Sequence, residues 1–220
     1  MVLQDSDKEI IQKKFVGLSG VVKLMVFTQE LECHFCKETR ELALDLGTLS
    51  SKIKVKIYDL VNDVNEVEEY RIKKIPAIAI IGESDFGIRY FGLPSGYELG
   101  TMIDTIIDVS KGKTKLLDPV KEKLAQIKKA VHLQVFVSPT CPYCPQAARI
   151  AHQFAIENEN ITSDVIEMME FPHLVQRYSV MSVPHIVINE DTSFVGAHPA
   201  EIFIDQINLA LKSSYNPMYS

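Results

Sequence analysis

The sequence of 220 residues contains no tryptophan, only four cysteines and no apolar run of membrane-spanning length. A transmembrane helix needs about 20 consecutive apolar residues, so we do not expect a membrane protein. Basic charge is also scarce, because 23 basic residues face 29 acidic ones and the net charge is −6. Proteins that bind nucleic acids usually present a basic surface, and we therefore expect no nucleic-acid partner.

Cysteine is absent outside two C-x-x-C pairs, so none remains for a structural disulfide elsewhere. The first ten residues include Asp5, Asp7 and Glu9 and lack the apolar segment of a secretory signal peptide. We therefore expect a cytoplasmic protein. In a reducing compartment, paired cysteines indicate catalysis or metal binding rather than a scaffold.

The two cysteine pairs belong to an internal repeat. Cys33-His34-Phe35-Cys36 and Cys141-Pro142-Tyr143-Cys144 each follow an apolar segment and precede a helical pattern. Pro76 follows Cys33 by 43 residues, and Pro184 follows Cys141 by the same 43. Because domains commonly have 50–250 residues, we predict a first unit at 1–115 and a second unit at 116–220.

Each unit is predicted to run helix, strand, helix, strand, helix, strand, strand, helix. The apolar patterns place strands at 21–28, 52–57, 77–81 and 86–91, and again at 131–137, 162–166, after 184 and before 196. Ser6 to Glu9 and Ser95 to Glu98 match the Ser-x-x-Glu capping box. That box predicts a helix start at each serine, with the glutamate bonded back to the first N–H.

A cysteine pair at a strand-to-helix junction suits thiol–disulfide exchange. The start of a helix carries partial positive charge and free N–H groups, which stabilise a thiolate on the first cysteine. A helix tolerates proline only in its first turn, so the helix that contains Pro145 should begin near Cys141 or Cys144.

Two residues inside the cysteine motifs have more than one interpretation. Tyr143 could form an apolar wall for a substrate or cover the loop. His34 could favour the thiolate or be a solvent-facing loop residue.

A zinc site with four cysteine ligands is the alternative interpretation of the cysteines. Zinc ribbons place their C-x-x-C pairs roughly 15–20 residues apart, whereas Cys36 and Cys141 are 105 residues apart. The repeated cysteine-to-proline spacing also has no explanation in a zinc site. We therefore expect no metal.

The element order, the C-x-x-C after the first strand and the X-Pro before the third resemble the thioredoxin fold. Two such copies, one with a glutaredoxin-type Cys-Pro-Tyr-Cys, resemble the glutaredoxin-like protein disulfide oxidoreductases of thermophilic archaea and bacteria. Residues 86–94 and 154–158 also resemble that family. The resemblance implies an α/β fold with two tandem thioredoxin-fold units. Each unit would have a four-stranded mixed sheet flanked by helices, and the two sheets would join into a continuous one.

The resemblance also implies an activity and its cysteines. Cys33 and Cys141 would be the attacking thiols, and Cys36 and Cys144 the resolving ones. The chain would reduce, form and isomerise protein disulfides without a metal or organic cofactor, because the dithiol carries the electrons. The sequence has no G-x-G-x-x-G for a dinucleotide, so electrons would come from a separate flavoprotein similar to thioredoxin reductase.

The two prolines that follow the cysteine pairs resemble the cis-proline of the thioredoxin fold. The matched spacing predicts that the Ile75-Pro76 and Val183-Pro184 bonds are cis and that each lies across from its own dithiol. Ile75 and Val183 could then pair with an extended substrate strand.

One expected residue is missing. Thioredoxins carry an acid in the strand six residues before the first cysteine, and Phe27 and Val135 take those positions here. Proton transfer at the resolving cysteine must therefore use water or another group.

Two other functions stay open. One is a dithiol electron carrier between a flavoprotein and a peroxidase, similar to the tandem thioredoxin-fold segment of alkyl hydroperoxide reductase flavoproteins. The other is a peptide-binding protein with inert cysteines.

Overall fold

The computed structural model describes residues 3–213, and the elements in that range alternate between helices and strands. The strands are β1 Val22–Thr28, β2 Ile53–Asp59, β3 Ala77–Ile81, β4 Ile88–Phe91, β5 Val131–Val137, β6 Ile161–Glu167, β7 His185–Ile188 and β8 Thr192–Val195. The helices are α1 Asp5–Phe15, α2 Cys36–Thr48, α3 Val64–Glu69, α4 Tyr97–Lys111, α5 Asp118–Leu124, α6 Cys144–Glu157, α7 Pro172–Arg177 and α8 Ala200–Ser213. Within 3–213, no helix combines the length and apolar character of a membrane span.

The same order of elements occurs twice, as the sequence predicts. The first half contains α1 to α4 and β1 to β4, and the second half contains α5 to α8 and β5 to β8. The predicted boundary at 115/116 falls in the connection between Lys111 and Asp118. That each half is a separate domain stays a prediction, and residues 1–2 and 214–220 of the two predicted units lie outside the described range.

All eight strands join one sheet in the order β2-β1-β3-β4-β6-β5-β7-β8. Within each half the first two strands are parallel, and the third and fourth add antiparallel. The halves meet where β4 pairs in parallel with β6, from Ile88 opposite Ser163 to Phe91 opposite Ile166. The continuous mixed sheet that the resemblance implies is therefore confirmed.

The two faces of the sheet carry different layers. Apolar residues of α1, α2, α4, α5, α6 and α8 form one buried cluster with residues such as Val26, Tyr90 and Val135. On the other face, Phe27, Phe136 and Phe171 pack with residues around the short helices α3 and α7. Full burial of a phenylalanine side chain contributes about 1.5–3 kcal/mol, so both layers stabilise the sheet.

The two predicted capping boxes are wrong. The N-cap of helix α1 is Gln4, two residues before Ser6, because the Gln4 carbonyl accepts the N–H groups of Asp7 and Lys8, and Ser6 lies inside the helix. Helix α4 is preceded by Gly96, and no side chain caps it. Glu98 does not reach back to the start of α4; its side chain is fully buried. The burial has a tertiary cause, because the first turn of α4 packs against the second half.

We call the β4–β6 pair with the packed helices α4 and α6 the seam. The Tyr97 N–H donates to the Pro139 carbonyl across it (3.1 Å). About two turns further along α4, Thr105 shares a hydrogen bond with His152 (3.0 Å), and about three turns along, Asp108 pairs with Arg149 (2.6 Å). Helices α4 and α6 therefore run side by side in the same direction.

Gly96 makes the entry into α4 possible. Its φ is +56°, a left-handed conformation that side chains rarely adopt. A Cβ on Gly96 would collide with the Pro139 carbonyl. The chain can therefore approach the second half this closely only with glycine at this position.

We predict that Gly96→Ala lowers the free energy of unfolding by about 2 kcal/mol, because it adds backbone strain and a collision with the Pro139 carbonyl. Gly100→Ala is the matched control, since Gly100 lies inside α4 and a Cβ there meets nothing within 4 Å. The control should gain about 0.5–1 kcal/mol. Denaturant unfolding of both variants checks this, and equal stability of Gly96→Ala and the parent chain would contradict the packing described here.

Candidate active sites

Both cysteine pairs lie where a strand ends and a helix begins. Helices α2 and α6 start at Cys36 and Cys144, so Cys33 and Cys141 lie just before the first turn. Pro145 is the second residue of α6, where the helix needs no N–H from it. The sequence allowed Cys141 or Cys144 as the helix start, and the structure has Cys144.

Each pair forms a disulfide, with Cα–Cα distances of 5.4 Å for Cys33–Cys36 and 5.5 Å for Cys141–Cys144. The first cysteine of each pair is half-buried, whereas Cys36 and Cys144 are buried. An external disulfide can therefore reach the first cysteine, and the second is placed to act after it.

Cys141 has a backbone N–H donor and a backbone carbonyl beside its sulfur, and the N–H is placed to stabilise a thiolate. The Cys144 N–H at the start of α6 donates to Cys141 Sγ (3.1 Å). The Val183 carbonyl oxygen lies 3.7 Å from the same sulfur. The structure thus brings Cys141, Cys144 and Val183 together, as the sequence analysis expects.

The surroundings of Cys33 are more charged. Glu30 in the preceding loop pairs with Arg40 of α2 (3.0 Å). The exposed His34 ring packs edge-on against Phe35, with centroids 4.7 Å apart. The Gln29 N–H donates to Cys36 Sγ (3.4 Å).

The Ile75-Pro76 and Val183-Pro184 peptide bonds are both cis, as the matched spacing predicts. Pro76 directly precedes β3, whose first residue Ala77 pairs with Phe27 near the end of β1. It therefore lies at the same edge of the sheet from which the Cys33 loop leaves. Pro76 and Pro184 are buried, and their carbonyls accept the N–H groups of Gly92 and Gly196 (2.9 Å each).

The strand directions place both cysteine loops at the same end of the strands, the end where β1 and β5 terminate. Strand β1 is antiparallel to β3, β3 is antiparallel to β4, and β4, β6 and β5 are parallel, so β1 and β5 point the same way. Four strand spacings separate them, or roughly 19 Å. This separation is incompatible with one zinc ion bound by all four cysteines. Among residues 3–213, no group of three or more His, Cys, Asp or Glu side chains could hold a metal.

The rims of the two sites differ. Tyr143 is 68% exposed beside Cys141, and Met181, two residues before Val183, is 91% exposed. At the repeat offset of 108 residues, Lys73 takes the position of Met181. Tyr143 and Met181 therefore give the second site exposed apolar surface, whereas the first site has Lys73 in place of Met181 and keeps one exposed apolar side chain, Leu31, near Cys33.

Sequence reasoning missed Lys74, the residue before Ile75. Its ammonium group pairs with Asp164 of β6 (3.7 Å) and lies 3.6 Å from the centre of the Phe91 ring. Burial lowers the pKa of Lys74, and Asp164 opposes part of that shift. His132 of β5 binds the same carboxylate (2.9 Å). The segment before Pro76 is therefore attached to the second half of the sheet.

The strand position that carries an acid in thioredoxins is apolar in both halves, but one of the two predicted residues is wrong. Strand β1 ends five residues before Cys33, whereas β5 ends four residues before Cys141. Phe27 pairs with Ala77 as Phe136 pairs with His185, so Val26, not Phe27, corresponds to Val135. One extra residue in the first loop shifts the register and turns Phe27 to the opposite face.

His185, next to Pro184, has a structural role. It is buried edge-on against Phe136, with ring centroids 6.3 Å apart. Burial lowers the pKa of His185. A neutral, buried ring does not supply charge to a neighbouring thiolate.

A family model described as a thioredoxin domain matches residues 131–208. Thioredoxin from Methanocaldococcus jannaschii is 38% identical over 82 residues, which are 37% of this chain and 96% of that protein. The chain spans only 28% of the length of two longer relatives. These are NADH dehydrogenase of Bacillus subtilis, 25% identical over 71% of this chain, and an alkyl hydroperoxide reductase component of Staphylococcus aureus, 23% identical over 70% of it.

Two solved structures share the whole fold. A protein disulfide oxidoreductase from Aeropyrum pernix is 28% identical, with a TM-score of 0.90 and coverage of 97% of this chain and 95% of that one. The alkyl hydroperoxide reductase component AhpF of Enterococcus faecalis is 21% identical, with a TM-score of 0.87 and coverage of 94% and 100%. At 21% identity, the similarity to AhpF shows a shared fold and no more. With two C-x-x-C sites on one sheet and close identity to a complete thioredoxin, the chain belongs to the thioredoxin family.

Proposed function

We propose that this protein is a cytoplasmic thiol–disulfide oxidoreductase that reduces, forms and isomerises disulfides of other proteins at two sites. The observation that carries the proposal is the arrangement of Cys141. It is half-buried at the start of α6, its sulfur accepts the Cys144 N–H, and the Val183 carbonyl lies beside it. The similarity to a protein disulfide oxidoreductase supports the same function.

The reduction of a substrate proceeds in two exchanges. The Cys141 thiolate attacks one sulfur of the substrate disulfide, whose S–S bond breaks and whose second sulfur leaves as a thiolate. Cys144 then loses its proton and attacks Cys141 Sγ, which forms the Cys141–Cys144 disulfide and releases the second substrate sulfur. Two electrons pass from the dithiol to the substrate; of its two thiolates, one takes up the proton that Cys144 gives up and the other takes a proton from solvent. Cys33 and Cys36 act in the same way, and the oxidised sites run the steps in reverse.

The residues before β3 and β7 are proposed to hold the substrate. An extended peptide can pair with backbone groups at Ile75 and Val183, which directly precede Pro76 and Pro184. At the second site, Tyr143 and Met181 offer apolar surface to the residues around the substrate cysteine. We therefore expect the second site to prefer cysteines with apolar or aromatic neighbours.

The electron donor is proposed to be a separate flavoprotein similar to thioredoxin reductase. A second candidate function is electron transfer from such a flavoprotein to a peroxidase. It is favoured by the similarity to part of the alkyl hydroperoxide reductase component of Staphylococcus aureus and to AhpF. The two functions differ in whether the dithiols act on proteins in general or on one acceptor.

We predict that the chain accelerates insulin reduction by dithiothreitol and that the Cys33→Ser, Cys141→Ser double variant loses this acceleration completely. Each single variant should keep the activity of its intact site, so the two single variants are the controls for the double variant. The precipitation rate of reduced insulin is the measurement. Full activity of the double variant would exclude thiol chemistry, and an inactive parent chain that still reduces a peroxidase disulfide would favour the electron carrier.

We also predict that Cys141 reacts at lower pH than Cys33. Both precede a helix N-terminus, so that effect is shared. Glu30, Glu32 and Glu38 lie near Cys33 in the sequence, whereas residues 138–146 include no charged side chain. A carboxylate a few ångströms from a thiolate opposes it by about 1 kcal/mol at a surface, and the Arg40 partner of Glu30 offsets only part of this.

The measurement is the pH dependence of iodoacetamide alkylation in two reduced variants, one with only Cys33 and Cys36 and one with only Cys141 and Cys144. The midpoint for Cys141 should lie roughly one pH unit lower, which corresponds to the free-energy difference above. A Cys33 midpoint at or below that of Cys141 would show that His34 and Lys37 outweigh the carboxylates.

A further inference from the structure

Two buried cations attach the chain between α3 and β3 to the sheet. We call residues 70–76 the first segment, since they lead to Pro76 at the first site. Arg89 of β4 donates from its Nε to the Tyr70 carbonyl at the start of this segment (3.0 Å). Lys74 lies near the end of the segment, and its side chain is only 15% exposed. Because burying a charge is costly unless the charge is paired, each cation should have a fixed partner.

The partner of Lys74 belongs to the other half of the chain. The ammonium nitrogen lies 3.7 Å from Asp164 Oδ2, and the Asp164 side chain is buried. The same nitrogen lies 3.6 Å from the centre of the Phe91 ring, where a cation is attracted by the ring face. An acid and an aromatic ring therefore hold Lys74, and neither belongs to the first segment.

Both groups that hold Lys74 have fixed positions of their own. Asp164 belongs to β6, which is paired on one side with β4 and on the other with β5. His132 Nε2 lies 2.9 Å from Asp164 Oδ2. Phe91 is buried and packs edge-on against Phe171, with ring centroids 6.4 Å apart. Lys74 is thus anchored to paired strands at the centre of the sheet and not to a loop.

The corresponding positions of the second half, which the structure describes as far as residue 213, carry no such anchor. At the repeat offset of 108 residues, Ser182 takes the position of Lys74 and is exposed. The strand registers place Val195, which is 46% exposed, at the position of Phe91. A serine and a valine supply neither a charge nor an aromatic face. The anchor is therefore specific to the first site.

The anchor acts on the residue next to Lys74. Ile75 follows Lys74 directly, is half-buried and packs with the apolar cluster around α3. A peptide strand that adds to this backbone needs its N–H and C=O groups in a fixed direction. If the ligand itself had to order the backbone of one residue, binding would weaken roughly tenfold. Because Lys74 and Ile75 share a peptide unit, a fixed Lys74 side chain removes part of that cost.

We propose that the Lys74–Asp164 ion pair, together with Phe91, holds the first segment in the conformation that binds a substrate strand. This inference rests on the proposed function, in which the substrate pairs with the backbone at Ile75. Lys74 is then a positioning residue of the first site, because its ammonium group is occupied by Asp164 and Phe91 and acts through the neighbouring backbone. It also follows that the first site needs a residue of the second half to bind its substrates fully.

The other contacts of the first segment do not replace this anchor. Arg89, which pairs with Asp85 (2.6 Å), holds only the Tyr70 carbonyl. The Ile72 N–H donates to the carbonyl of Val67 at 2.9 Å. Both contacts lie at the start of the segment, so the residues next to Pro76 depend on the anchor.

The test uses the reduced Cys141→Ser, Cys144→Ser chain, which keeps only the first site. The probe is a short peptide whose single cysteine forms a mixed disulfide with thionitrobenzoate. The Cys33 thiolate attacks the peptide sulfur, the bond from that sulfur to the reporter breaks, and the reporter leaves as a coloured thiolate. Stopped-flow absorbance at increasing peptide concentration gives the half-saturating concentration and the limiting rate.

We expect Lys74→Met, which keeps an apolar stem and removes the charge, to raise the half-saturating concentration about tenfold. The limiting rate should not change. The reaction with the mixed disulfide of free cysteine and thionitrobenzoate should also stay the same, because this small probe offers no strand. Lys74→Arg should stay within about twofold of the parent, since a guanidinium group can pair with Asp164 and stack on Phe91.

Lys121→Met is the matched control, because Lys121 is another partly buried lysine that pairs with a carboxylate. Its partner is Glu157 (2.9 Å), at the end of α6 opposite to Cys144. This variant should match the parent with both probes. Asp164→Asn serves if Lys74→Met fails to fold, and it should raise the same half-saturating concentration. The effects of the two changes should not add in a double variant, since both remove one interaction.

Three results would decide against these statements. An unchanged half-saturating concentration in whichever variant folds overturns the inference. Equal slowing with the peptide and with the cysteine probe shows an effect on the thiol and overturns it too, as does a parent chain that reacts equally fast with both probes. A parent chain that releases no reporter from either probe would instead contradict the proposed function.

Discussion

The parallel pairing of β4 with β6 determines how the two halves of the molecule are arranged. Each half alone would expose one of these strands as an unpaired edge, which invites association with other chains. The pairing removes both edges and aligns β1 with β5. As a result, both cysteine loops lie at the same end of the strands, where β1 and β5 terminate, and α4 packs against α6.

The seam also explains why two copies of one unit are not two equal sites. At the first site, Lys74 ties the segment before Pro76 to Asp164 of the second half. At the second site, the start of α4 contacts the loop before Cys141 through Tyr97 and Pro139. Each site is thus supported by residues of the other half, but by different residues and different charges. A duplicated fold has in this way acquired two distinct chemical environments.

The repeat made most of the fold and the reacting cysteines predictable from the sequence. The matched spacing from Cys33 to Pro76 and from Cys141 to Pro184 reports backbone geometry that recurs in each half, so the element order and the cis bonds follow from it. Local patterns such as the start of α6 at a Cys-Pro pair were also informative, because the proline restricts helix position directly.

What the sequence could not predict depends on contacts between the halves. Glu98 matches a capping box, yet its side chain turns into the seam because α4 packs on α6 there. Counting six residues back from Cys33 assigns the acid position of thioredoxins to Phe27, although Val26 is the residue that corresponds to Val135. The count fails because the loop before Cys33 has one more residue than the loop before Cys141. The ion pair between Lys74 and Asp164 joins positions that are 90 residues apart in the sequence, and no local sequence pattern indicates it. Such pairs become visible only once the order of strands is known.

We propose that each cysteine pair is a complete two-electron centre on the shared sheet. Equilibration of the full chain with glutathione buffers of graded potential, followed by mass spectrometry of trapped thiols, measures this. We expect two reversible dithiol–disulfide transitions, each with its own midpoint and each retained when the other pair is replaced by serine. A chain in which only one pair responds, or in which neither forms its disulfide within the C-x-x-C, would contradict it.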